Sequence, residues 1–499
     1  MKFIITISLI ILVLLDAKSK NNSLDTNKVM IKGVVSDTIF NLTPDKEIVV
    51  HLWVSAFPSK INVAPTEYYS VQVKNNEPFT FKFSAPSDRF YVHIGFTPNS
   101  FHYWSFSDNT YIMDRGDKIS CRLSTLDFSF SGIGAEKFNC QSKIYHCLYL
   151  FTAADAQLVR EGRYQELFEN QAIVKDSLLK AALKVVDEFS IKLGKELTET
   201  MIANCFGTVY YNGLKGERSH AQDKERINAV LNSRSFNLDM KQVDTLNAGS
   251  LIASPIYLDY LFEKIVIKSI QPMNDEKIDR IKYVYRSVRN DFSGIIREKM
   301  LTLFFLNYGK RNNILEYAED ALTLIRVPSY RDIVNDVITS SKSGDPFFPF
   351  ELEDEKGNMV KLNDLNDKVI VLDLWFTGCV NCTYLSKAMK PVFEKFKDNS
   401  NVVFISVCTD KTKQQWLESL SKGEYTHPQS LNLFAGLGQT ENKGTGNQLI
   451  KRYNITSFPT VFIIKNGKMF NPKPPDARRD KGAGMIKNID EALTATRVL

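Results

Sequence analysis

The chain has 499 residues, of which 43% are hydrophobic and 24% charged, with a formal net charge of +6. That length implies about three domains, and the composition is that of a folded globular chain. A small net charge on a long chain reads as a solvated surface. With no basic stripe among aromatics, no P-loop and no dinucleotide glycine pattern, nucleic acid and nucleotides are poor candidates for partners.

The first twenty residues read "MKFIITISLIILVLLDAKSK". Lys2 precedes an apolar run over residues 3–15. A helix needs about 20 apolar residues to span a bilayer, so the run fits the core of a secretory signal, with a cleavage site after Leu15-Asp16-Ala17. The alternative is an uncleaved anchor. Export to the periplasm or cell envelope is therefore expected, with residues 1–20 as the signal peptide. The first cysteine is Cys121, which closes the lipoprotein route of a lipidated cysteine just after the signal. Export permits disulfide chemistry. The seven cysteines are too few for a disulfide scaffold, and their odd number leaves at least one thiol free or paired between chains.

Residues 25–132 are expected to form a β-rich domain. "MIKGVVSD", "EIVVHLWVSA", "YYSVQVK", "FTFKFSA" and "RFYVHIGF" are short runs of β-branched and aromatic residues separated by turn formers. They suggest a small antiparallel sandwich, and no cluster in them looks catalytic. The aromatic run "FHYWSF", residues 101–106, reads as sheet core or as a binding edge.

Residues 133–342 change to a helical period. "YQELFENQAIVKDSLLKAALKVVDEFSIKL" repeats its apolar positions at three and four. Ser254-Pro255 predicts an N-cap followed by a first-turn proline, "REKMLTLFFLNYG" ends in a glycine stop, and Pro328 starts another helix. Cys140 and Cys147 on one helix would stand about 10 Å apart, beyond disulfide reach. With His146 they could be drawn as a metal cluster, but core packing is the plainer reading.

"SKSGDPFFPF", residues 341–350, is the clearest linker in the chain. Residues 343–499 then alternate strand and helix. "DKVIVLDLWF" is nearly all apolar, as a strand buried on both faces must be. "SKAMKPVFEKFKD" is an amphipathic helix, "NVVFISVCTD" a second buried strand and "KQQWLESLSKG" a helix. "PTVFIIKNGKMF" predicts a hairpin turning at Asn466-Gly467, and a closing helix follows. The fold class expected is multidomain: a β-sandwich-like domain, an all-α region and a C-terminal α/β domain.

The chemistry lies in "WFTGCVNC". Cys379 falls at a strand-to-helix junction, where unpaired N–H groups and the helix dipole favour a thiolate. Cys382, three residues on, shares its face. Such a pair can attack a disulfide, form a mixed disulfide and resolve it. Asp373 stands inside the apolar strand. Burial raises the pKa of a carboxyl, which suits a proton acceptor for Cys382. The competing reading is an acid at the strand's edge facing water. Pro459 opens a later strand, where it marks a turn. If its peptide bond is cis, Phe458 would offer its backbone N–H and C=O to a substrate chain by strand addition.

Strand–"WFTGCVNC"–helix, then "SFPT"–strand–"KNGK"–strand–helix, resembles a thioredoxin fold. The lead-in from "GDPFFPF" to "VIVLDLWF" is similar to the secreted TlpA/ResA-like thiol–disulfide oxidoreductases. The shared features are a small hairpin at Lys356-Gly357-Asn358 and a long insertion before the proline. The preceding domains are similar in arrangement to envelope proteins of Bacteroidetes-type bacteria. The resemblance implies Asp373 as the buried acid, Trp375 as the aromatic before the pair, Cys379 as nucleophile, Cys382 as resolving cysteine and Pro459 as the cis-proline. Trp375, Phe458 and Pro459 are then expected to contact the client. No cofactor is implied. The implied partners are client thiols and disulfides and, for a reductant, a membrane electron donor.

Three departures bear on redox potential and partner choice. Many relatives carry Trp-Cys-Gly-Pro-Cys where this chain has Gly378-Cys379-Val380-Asn381-Cys382. Pro391 stands about a turn later than the usual helix proline, and the residue before Pro459 is a bulky phenylalanine. Val380-Asn381 supplies no cation, which favours a reductant over a strong oxidant.

A zinc site would need two more ligands, and neither a second Cys-x-x-Cys nor a spaced histidine pair exists. A peroxidase would need a proline ahead of its cysteine, and that strand has none. The serious alternative is a redox-silent envelope binding or scaffold protein with a structural Cys379–Cys382 disulfide. Cys408, in "VVFISVCTD", reads as a small core residue.

Overall fold

The computed structural model describes residues 28–36, 47–59, 67–74, 77–98, 110–124, 128–146, 153–238, 240–270, 279–309, 314–410, 412–436, 446–453, 455 and 458–495. The expected signal segment, the aromatic run at 101–106 and Cys147 lie outside the described residues.

The first domain contains strands β1 (Lys28–Val35), β2 (Glu47–Ser55), β3 (Glu67–Lys74), β4 (Phe79–Ser84), β5 (Arg89–Pro98), β6 (Thr110–Asp114), β7 (Lys118–Leu123) and β8 (Phe128–Ile133). Alternation orients them: β4 buries Phe79, Phe81 and Phe83 and exposes the residues between. Two four-stranded sheets result, in the orders β4-β1-β7-β8 and β3-β2-β5-β6. Their inner faces share one apolar core that includes Ile31, Leu52, Phe90 and Ile119. The sandwich is not wholly antiparallel, because β1 and β7 pair in parallel.

Helix α1 (Ala135–His146) closes this sandwich, stacking Phe138 on Tyr111 with ring centroids 5.3 Å apart. Then come α2 (Ala153–Arg160), α3 (Tyr164–Glu217), α4 (Lys224–Asn232), α5 (Lys241–Asp244), α6 (Ala248–Ala253) and α7 (Tyr257–Lys268). After them run α8 (Arg280–Asp291), α9 (Gly294–Tyr308), α10 (Ala318–Leu324) and α11 (Pro328–Ser341). The periodic run that ends at Leu193 continues to Glu217, past a break at Gly194, whose φ of 72° suits glycine. Helix α7 starts at Tyr257, later than expected, yet the Ser254 hydroxyl still accepts the Tyr257 N–H at 3.1 Å. Gly309 ends α9 in a right-handed conformation. The β-rich and helical parts are joined by Tyr91, whose hydroxyl donates to Ala253 O at 2.9 Å, and by Ser59, which donates to Asp259 at 2.7 Å.

The C-terminal domain holds β9 (Glu351–Asp354), β10 (Met359–Lys361), β11 (Val369–Trp375), β12 (Val402–Cys408), β13 (Leu431–Phe434), β14 (Thr460–Lys465) and β15 (Lys468–Asn471). Its helices are α12 (Val380–Phe396), α13 (Lys413–Lys422), α14 (Gly446–Arg452), α15 (Ala477–Asp480) and α16 (Ala483–Thr494). The sheet order is β10-β9-β13-β12-β11-β14-β15. Strand β11 is central, parallel to β12 and antiparallel to β14, which accounts for its unbroken apolar run. Ile370, Leu372 and Leu374 enter the core on one face, and Val369 and Val371 enter the other beneath α12 and α16. Asn466 and Gly467, with φ of 51° and 66°, turn the β14–β15 hairpin.

Candidate active site

The two faces of β11 decide where its polar residue goes. Asp373 falls on the α12 side, paired across the sheet with Ser406 on β12 and Val461 on β14. The chain leaves β11 at Trp375, turns through Gly378 at a φ of 92° that favours glycine, and enters α12.

Cys379 is the N-cap of α12, and its Sγ accepts the Cys382 backbone N–H at 3.1 Å. The two cysteines are joined as a disulfide, with Cα atoms 5.2 Å apart. Cys379 is 6% exposed and Cys382 has no exposed surface.

The loop before the pair is held from the segment after β12. Asp410 accepts both the Thr377 N–H and the Thr377 hydroxyl, and Ser419 on α13 bonds the same hydroxyl. The Tyr425 hydroxyl accepts the Gly378 N–H at 2.9 Å. None of these partners stood out in the sequence. Each is a single polar residue within a long insertion, and Asp410, two residues after the second buried strand, was the nearest to a signal.

Trp375 does not reach the surface, contrary to the expectation that it contacts a client. It is fully buried, stacks on Tyr425 at 4.6 Å and donates from Nε1 to Ser406 at 2.7 Å. It packs beneath the pair, with Cys408, Trp416 and Phe434 in the same cluster. Burial pushes the Cys408 thiol well above its ordinary range, so it behaves as a core residue. Phe458, half-buried, borders this cluster and meets Phe376 edge-on at 5.3 Å. The Phe458–Pro459 bond is cis. Val380 and Tyr384 stand exposed on the first turns of α12.

The Asp373 Oδ1 atom is buried with no hydrogen-bond partner. It faces a cleft of about 20 Å³ that Ser406, Tyr425 and His427 also line, enough to admit a single water molecule. Burial holds the Asp373 carboxyl well above the usual carboxylate range. The positive charge of Arg478 and the Leu374 backbone N–H oppose that rise. Arg478, on α15, is the residue that sequence reasoning missed most completely. Its Nη1 lies 3.5 Å from both Asn381 O and Asn381 Oδ1, inside the cysteine pair's own dipeptide.

A cysteine pair capping a helix after the central strand of such a sheet, with a cis-proline strand and a hairpin behind it, is the arrangement of a thioredoxin-like domain. Residues 366–469 match the family model described as thioredoxin-like. No curated protein matches the chain. Among solved structures, a thiol:disulfide interchange protein from Bacteroides sp. is 20% identical. The match covers 32% of this chain and 93% of that one, with a TM-score of 0.26. The thioredoxin domain of a thiol-disulfide oxidoreductase from Bacteroides vulgatus is 22% identical, covering 30% and 96%, with a TM-score of 0.25. A thioredoxin-like protein from Bacteroides caccae is 13% identical, covering 53% and 93%, with a TM-score of 0.32.

Proposed function

We propose that the protein is an exported thiol–disulfide oxidoreductase that reduces disulfides in client proteins, with Cys379 as nucleophile and Cys382 as resolving cysteine. The observation that carries this reading is the asymmetry of the pair. Cys379 caps α12, and its sulfur accepts an N–H from the first turn. It is also the more exposed of the two. A thiolate there gains from the helix end, and a client disulfide meets that sulfur first.

In the dithiol form, the Cys379 thiolate attacks one sulfur of a client disulfide. The client's S–S bond breaks, and its second sulfur leaves as a thiolate. Cys382 gives its proton to Asp373 and attacks the Cys379 sulfur. The mixed disulfide opens, the client's first sulfur leaves, and the Cys379–Cys382 bond forms. Two electrons have passed to the client, and a membrane donor returns them. The Phe458 backbone holds the client chain by strand addition. The reducing direction rests on the uncharged Val380–Asn381 dipeptide, since the nearby Arg478 is already paired with Asp476. Export rests on the N-terminal apolar run.

The test is to trap clients in cells. Cys382→Ser is expected to accumulate mixed disulfides on Cys379, seen as adducts on non-reducing gels, and Cys379→Ser to accumulate none. The reverse pattern would exchange the two roles. Adducts with neither variant would leave a structural disulfide.

A further inference from the structure

We propose that Arg478 is a positioning residue for the redox pair, fixing the Val380–Asn381 turn and keeping the Asp373 carboxyl ready to take a proton. The assignment rests on the oxidoreductase reading above.

The geometry has three parts. Arg478 is anchored by Asp476, which takes its Nε at 2.9 Å and its Nη2 at 2.7 Å. Asp476 is held in turn, because it caps α15 by accepting the Arg478 backbone N–H. That leaves Nη1 to reach the carbonyl and side-chain oxygens of Asn381. The planar guanidinium thus ties the last segment of the domain to the residue just before Cys382, in a fork a lysine cannot reproduce.

The third part is charge. Asp373 faces Ser406 and Val461 from the neighbouring strands, and Tyr425 and His427 across the cleft. Helix α12 brings Leu385 and Ser386 to that cleft, and α16 turns Met485, Ile489 and Ala492 inward. Among the described residues Arg478 supplies the positive charge that acts on Asp373, and Asp373 acts reciprocally on Arg478. A buried carboxyl with one oxygen unpaired resists ionising, and a nearby fixed cation offsets part of that cost. Arg478 therefore sets how much of Asp373 is available as a base when the Cys382 proton must leave.

The test uses the full-length reduced protein and 5,5′-dithiobis(2-nitrobenzoate). Cys379 attacks the reagent and releases one thionitrobenzoate. Cys382 then passes its proton to Asp373, attacks the Cys379 sulfur and displaces the second. The second release is identified by its loss in Cys382→Ser, and its rate is followed against pH. Arg478→Gln is expected to move the midpoint of that profile up by about half to one pH unit, about three- to tenfold slower below the midpoint. Arg478→Lys should keep the wild-type midpoint. In an Asp373→Asn background, Arg478→Gln should produce no pH shift. An unmoved midpoint in Arg478→Gln, or an equal shift without the Asp373 carboxyl, overturns the assignment. A wild-type chain that shows no second release overturns the oxidoreductase reading and this assignment with it.

Discussion

Asp410 holds Thr377 twice, accepting both its backbone N–H and its hydroxyl, across 33 positions of sequence. Thr377 stands two residues before Cys379, so this contact fixes the loop that delivers the nucleophile. Asp410 is 5% exposed, and an alanine there leaves the Thr377 N–H without its acceptor, while the Thr377 hydroxyl keeps Ser419. A buried donor left unpaired costs about 1–3 kcal/mol. Asp410→Ala is therefore expected to lower stability by about 1–3 kcal/mol, read by denaturant unfolding. Asp410→Asn, which keeps one acceptor, should lose less. The alanine variant should also let dithiothreitol reach the disulfide faster. Unchanged stability in both variants would mean that the loop is held elsewhere.

Asp373 should cost the protein stability at the pH where it serves catalysis. Its carboxyl in the folded state lies well above the ordinary 3.8. Between the two values the folded chain holds a proton that the unfolded chain has released, so stability falls as pH rises through that window. Asp373→Asn removes the slope. The variant should melt higher than wild type at neutral pH, with the advantage shrinking as pH falls toward the ordinary carboxylate range and gone below it. It should also exchange disulfides more slowly near neutral pH, having lost its proton acceptor. An advantage over wild type no larger at neutral pH than in acid would refute the buried-acid account.

Strand β11 was legible because burial on both faces forces an apolar run, against which its one acid stands out. The Cys379–Cys382 spacing and the Asn466-Gly467 turn were equally local. Strand β13 was not: it is four residues long, contains Asn432, and its identity lies in its pairing with Cys408 and Asp354. Trp375 was misread for a related reason. An aromatic before a cysteine pair suggests a surface contact, but its burial is set by Tyr425, fifty positions away in the insertion. Arg478 sits in a Pro- and charge-rich stretch that reads as a solvated loop. What makes it part of the site is Asn381, 97 positions earlier, and no local pattern encodes that contact.

Lys299 offers a readout away from the C-terminal domain. It is fully buried on α9, where its ammonium donates to Ile252 O at 2.7 Å and lies 5.6 Å from the Phe57 ring centre. Burial pulls its pKa down from 10.5 to about 7, with Asp259 opposing. Between those values the unfolded chain binds the extra proton, so stability should rise with pH through that window and stay lowest below it. Lys299→Met should be most favourable relative to wild type near pH 6 and lose that advantage toward pH 10. Melting both proteins across that range checks the sign. A difference independent of pH would mean that Lys299 keeps its proton throughout.

The direction of electron flow turns on one number. A helix end stabilises the Cys379 thiolate moderately, Val380 and Asn381 add no charge, and Asp476 spends most of the Arg478 fork. A strong oxidant needs a much more stabilised thiolate than that arrangement supplies. The reduction potential is therefore expected near about −270 mV, in the range of thioredoxin, and far from the roughly −120 mV of a disulfide-forming oxidase. It is measured by equilibrating the full chain against dithiol buffers and weighing the alkylated thiols. The oxidising value would reverse the proposed reaction, and the membrane donor would have to become an acceptor. A pair that never equilibrates with the buffer would remove the redox step altogether, leaving the disulfide as a structural staple across the first turn of α12.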